Sequence, residues 1–198
     1  MDTERKAPMS NLPYETDTAL AELHRQAGKV DLRLQMLAGT AKSQAGADFY
    51  YRGRQRVTDM RLAEAEEILA ERIASGEYRF GSWSVSQMVS TVEDLATSRA
   101  KIADLRKQME PLNAIFAEHQ WSRFFLVTSS AGHIHSSMSC STCRPTTRYG
   151  WLPELSGKTE AEAVEAHGPA LCSICFASAP VEFIGGKITK AVAAKAAA

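Results

Sequence analysis

Apolar residues recur along the first two-thirds of the chain at helical spacing. Leu20, Leu23, Ala27, Val30, Leu34 and Leu37 follow alternating steps of three and four, which places all six on one stripe of a helix starting near residue 17. Gly39 and Gly46 weaken or end that pattern. A second helix is expected over roughly 55–75, with Leu62, Ala65, Leu69 and Ile73 on one face and Gly76 at its C-terminal end. A third begins at Ser84, where Ser84 and Gln87 have the spacing of a capping box. Its stripe runs Met88, Val92, Leu95, Ile102, Leu105, Met109, Leu112 and Phe116, with Arg99 interrupting it and Pro111 expected to bend it. Three such helices pack as an antiparallel hairpin or small bundle. Their stripes serve either as its core or as a seam for dimerisation or for a partner helix.

Beyond His119 the pattern changes. Phe124 to Thr128 is a run of aromatic and β-branched residues that reads as a buried strand. Ser129 to Gly132 reads as a turn, and His133-Ile134-His135 as the start of the returning strand. Glycines and prolines over 144–157 indicate loops with one short strand around Trp151. Thr159 and Glu162 form a second capping box, opening a short helix that His167-Gly168-Pro169 stops.

Within this second region lie two knuckles, Cys140-Ser-Thr-Cys143 and Cys172-Ser-Ile-Cys175, separated by 28 residues. Two residues between cysteines let both thiolates reach one ion, and two such pairs complete a tetrahedron. Zn²⁺ held by Cys140, Cys143, Cys172 and Cys175 is the expected cofactor. An iron–sulfur cluster could use the same ligands. The fold class is therefore α+β: an N-terminal helical hairpin or bundle, then a small zinc-stapled, zinc-ribbon-like β-rich module with one short helix. The expected division is a leader over 1–16, helices over 17–120, the metal module over 121–184 and a tail over 185–198.

His133 and His135 sit two apart on a presumed strand and so share a face, either approaching the metal or lining a surface beside it. A closed four-cysteine site leaves no coordination position for water, which argues against catalysis. The alternative, a zinc-dependent enzyme using His133 or His135, lacks the His-x-Glu and Pro-Cys-x-x-Cys pattern of zinc deaminases.

Charge narrows the partners. The 198 residues carry 23 basic and 23 acidic side chains. Residues 1–121 hold 16 against 18, and residues 122–184 hold 4 against 5. Neither region has the basic excess of a dedicated nucleic-acid binder. A nucleic-acid accessory role would draw on local arginines: Arg52, Arg54 and Arg56, interleaved with Tyr50 and Tyr51, and Arg123, Arg144 and Arg148. The other reading of residues 50–56 is the solvated start of the second helix. No stretch is apolar for long enough to cross a bilayer, and the N-terminus has no apolar signal region, so a cytoplasmic protein without membrane association is expected. Four cysteines in a reducing compartment fit metal better than disulfides.

The segments GHIHSSMSCSTC, TTRYGWLPELSG and LCSICFASAPVE, spread over Trp121 to Phe183, resemble a family of small zinc-binding proteins of actinobacterial phages and prophages. The resemblance covers about a third of the chain closely and the helices loosely. It implies expression in a bacterial host cytoplasm, and it places His133, His135 and the four cysteines in the family pattern. It implies no reaction. Together these readings favour a non-enzymatic adaptor with a protein partner from host or phage, and a homodimer through the helices.

Overall fold

A computed structural model describes residues 11–76, 83–128, 132–144 and 146–178. The readings of the leader before residue 11, of the turn at 129–131 and of the tail after 178 lie outside the described residues. The fold is α+β, with long helices first and small antiparallel sheets and a short helix after them. In order, the elements are α1 (Leu12–Gln44), β1 (Tyr50–Arg52), β2 (Gln55–Val57), α2 (Leu62–Ser75), α3 (Val85–His119), β3 (Phe125–Val127), β4 (Ile134–His135), β5 (Tyr149–Trp151) and α4 (Glu160–His167). Two single 3₁₀ turns, Pro153–Leu155 and Gly168–Ala170, flank α4. Among the described residues, no helix is long and apolar enough to cross a membrane.

Two compact units divide the chain, one of residues 24–108 and the other of residues 1–23 and 109–198, so α1 and α3 each contribute to both. In the 24–108 unit, Ala41 of α1, Leu69 of α2 and Met88 and Leu95 of α3 form the buried centre, with Leu34, Leu37 and Ile73 packed against it. All but Ala41, which lies one step beyond the stripe expected in α1, are stripe positions, and they form a core within this unit. Arg33 pairs with Asp94 at 3.0 Å, and Gln44 donates to the Gln87 carbonyl at 3.5 Å, so α1 and α3 run antiparallel. The arginine that broke the α3 stripe has a partner: Arg99 grips Glu66 of α2 with two bonds of 2.6 and 2.9 Å. Ser84 and Gln87 make the expected reciprocal cap, at 3.2 and 2.7 Å. The helix they open continues through Pro111.

Two boundaries differ from the sequence reading. α1 begins at Leu12, because Pro13 falls in the first turn, where a helix tolerates proline. Residues 50–57 are a β-hairpin and not the start of α2, with Tyr51 opposite Arg56 and Arg52 opposite Gln55. Gly53, at φ 64°, supplies the left-handed turn residue that reverses the chain there.

In the other unit, β3 is the central strand between β4 and β5. Phe125 faces His135 on one side and Trp151 on the other. A core of Phe124, Leu126, Ile134, Leu152, Leu155 and Phe176 lies against α4 residues Ala163 and Val164. Thr159 and Glu162 cap α4 reciprocally, at 3.2 and 2.8 Å. The N-terminal end of α1 belongs to this unit and buries Asp17 completely.

Candidate metal centre

The second strand of the sheet positions the centre. Along β4 the side chains alternate: Ile134 enters the core, and His135, 0% exposed, turns to the opposite face. Ile134 bridges to Leu171, and the Cys172 amide donates to the Ile134 carbonyl at 2.9 Å. That bond delivers the second knuckle to the same end of β4 as His135. Each knuckle is a tight turn, with the Cys143 and Cys175 amides donating to the Cys140 and Cys172 carbonyls, both at 3.0 Å.

As a result, one imidazole nitrogen of His135 and the sulfurs of Cys140, Cys172 and Cys175 all lie within 4.8 Å of one another. Tetrahedral metal–sulfur bonds of about 2.3 Å require donor separations of roughly 3.8 Å. The donor set therefore fits a metal ion after a contraction of about 1 Å at its widest. Cys143 stands at the edge of this group, its Sγ 3.4 Å from His135 Nε2, while Cys175 Sγ is 3.5 Å from Nδ1 of the same ring. Cys143 is thus a neighbour of the imidazole and not one of the four donors that lie within 4.8 Å of one another. His133 stays half-buried, its ring centroid 4.7 Å from that of His135. Thus the structure brings three of the four predicted cysteines together with His135 and places the fourth against the imidazole.

The surroundings tune these groups. Burial, with a smaller contribution from His133, lowers the pKa of His135 to about 4, so the ring stays neutral and able to ligate. Burial pushes the Cys140 thiol up, but bonds from the Thr142 hydroxyl and backbone N–H and from Cys175 and Cys172 outweigh it, and its pKa falls. Burial raises the Cys175 pKa despite opposing bonds from Ser136. Burial, then the bond to Cys143, pushes the Tyr149 phenol up to about 12. Thr142 Oγ1 lies 3.2 Å from Cys140 Sγ and 3.8 Å from Cys172 Sγ, spanning the two knuckles. Thr142, Ser136 and Tyr149 are thus supporting residues that sequence reasoning left unassigned.

A cleft of about 490 Å³ opens beside the centre, with Trp121, Met138, Glu160, Cys175 and Phe176 among its walls. Arg123, one of the arginines considered for nucleic acid, is turned inward instead. Its Nη2 lies 2.7 Å from Asp17 Oδ1, with an angle outside hydrogen-bond geometry, and its guanidinium sits 3.3 Å above the Phe116 ring. Arg144 and Arg148 are exposed. No family model, curated protein or solved structure matches this chain.

Proposed function

We propose that this is a non-enzymatic, zinc-binding interaction protein, encoded by a phage or prophage and acting in the host cytoplasm. The observation that carries the metal assignment is the convergence of His135, Cys140, Cys172 and Cys175 within 4.8 Å. Sulfur-rich tetrahedral sets favour Zn²⁺ among the cytosolic metals. Four protein donors complete a tetrahedron and leave no position open for water, so the role is structural and not catalytic. Cys140, Cys172 and Cys175 supply three ligands, and His135 is favoured over Cys143 for the fourth. The metal replaces what a unit with so small a sheet cannot gain from burial alone.

The adaptor reading draws on the surface that the knuckles present. Ile174, inside the second knuckle, is 67% exposed, and Met138, just before the first, is 44% exposed. Apolar side chains held out on a rigid metal-pinned turn suit a protein partner. Elemental analysis of protein purified under reducing conditions tests the reading. One zinc per chain is expected, and metal-free protein with the 121–178 segment still folded would overturn it.

A further inference from the structure

The β1–β2 hairpin belongs to the 24–108 unit and owes nothing to the metal. Its six residues Tyr51 to Arg56 are all exposed. A two-stranded hairpin is marginal in water by itself, yet this one is held at several points. Gly53 alone of its two turn residues has a positive φ, the type II′ pattern that matches strand twist. Tyr50 donates its hydroxyl to Asp59 at 2.6 Å, which occupies a neighbouring carboxylate. The Arg56 guanidinium lies 4.0 Å over the Phe49 ring, which fixes its direction.

What the hairpin leaves outward is Tyr51, 75% exposed and directly opposite Arg56, with Arg52 and Arg54 next to it. Residues 50–57 contain three arginines and no acid in a chain of zero net charge. Guanidinium groups match phosphate geometry, and a free tyrosine face is a platform for a base. Bases in a duplex hide their faces in their own stack, so a tyrosine platform needs an unpaired strand.

We infer that the β1–β2 hairpin is a contact site for single-stranded nucleic acid, with Arg52, Arg54 and Arg56 meeting phosphates and Tyr51 stacking on a base. The test is fluorescence anisotropy of the full-length protein with a labelled twelve-nucleotide oligothymidylate, over a range of salt concentrations. Three phosphate contacts predict a slope of log affinity against log salt of about −2. Tyr51→Ala should weaken binding about tenfold and Tyr51→Phe should retain it, since only the ring is needed. The triple change Arg52→Gln, Arg54→Gln and Arg56→Gln should flatten the salt dependence while circular dichroism stays unchanged. Salt-independent or absent binding by the native chain would overturn the assignment, as would a triple variant that binds like the native protein. A duplex of equal length bound more tightly than the single strand, with Tyr51→Ala silent, would overturn the single-strand reading.

Discussion

Trp121 Nε1 donates a 2.8 Å hydrogen bond to Asp17 Oδ2 across 104 residues of sequence. The same oxygen accepts from Ser156 Oγ at 2.6 Å, and Arg123 approaches the other oxygen at 2.7 Å. A fully buried carboxylate is tolerable only with this many partners. One residue near the start of α1 thereby ties together the end of α3, the approach to β3 and the 3₁₀ turn after β5. Removing it strands the Arg123 charge. Asp17→Ala is therefore expected to cost about 3–5 kcal/mol, and Asp17→Asn, which keeps an acceptor, less. Urea unfolding would check this; an unchanged midpoint for Asp17→Ala would refute the anchoring role.

The helical core makes a contrasting pair. Leu95 is completely buried, so Leu95→Ala should cost roughly 2–5 kcal/mol by transfer and cavity terms. Arg99 makes an ion pair with its side chain 49% exposed, and Arg99→Ala should cost under about 1 kcal/mol. Thermal unfolding of both variants should separate them clearly. Equal costs would mean that the ion pair, and not the apolar stripe, organises this unit.

Metal removal should act unevenly. Strong chelation, or Cys172→Ser, is expected to unfold the β3–β5 region while the helices of residues 24–108 persist. Far-UV circular dichroism would then lose little helix, and amide exchange would rise over 125–176. Zinc affinity should fall as pH drops, because protons compete for sulfur. Uniform melting of both regions would contradict the prediction.

X-ray absorption of the zinc-loaded protein would decide the ligand set. Three sulfurs and one nitrogen are expected, from Cys140, Cys172, Cys175 and His135. In that case Cys143→Ser keeps zinc and His135→Ala weakens it. Four sulfurs, with His135→Ala harmless, would assign the fourth place to Cys143.

The α4 cap gives a pH signature. The Thr159 backbone N–H, then its hydroxyl, hold the Glu162 carboxyl below its ordinary 4.5. A depressed folded pKa means stability that is present above the unfolded value and lost as pH falls through the folded one. Glu162→Gln should therefore flatten the acid limb of a stability-against-pH curve below about pH 4.5. A limb of unchanged steepness would show that this carboxylate adds nothing to acid sensitivity.

What could be read from sequence was what is local. Both capping boxes and both knuckles depend on residues three apart, and each appears in the structure where its spacing put it. The hairpin was missed because Arg-Gly-Arg-Gln carries helix-compatible side chains, and only the positive φ of Gly53 reveals the reversal. The inward turn of Arg123 is not legible in the sequence, because its partner lies 106 positions earlier and arginines are ordinarily exposed. For His135 the sequence supplied the face but not the neighbours. The β4–Leu171 bridge, a contact between distant segments, is what sets the ring beside the second knuckle.

That bridge has an evolutionary consequence. Because the Cys172 amide is fastened to the Ile134 carbonyl, the donors are aligned by the sheet and not by the length of chain between the knuckles. Between the knuckles, β5 and α4 are fixed by the sheet and the core, but the loops that join them are free to lengthen at little cost, since doubling a loop adds only about 0.6 kcal/mol of closure entropy. Relatives of this protein should therefore differ in the lengths of the loops on either side of β5 and α4. A search keyed to the short knuckle spacing of ordinary zinc ribbons would pass over them.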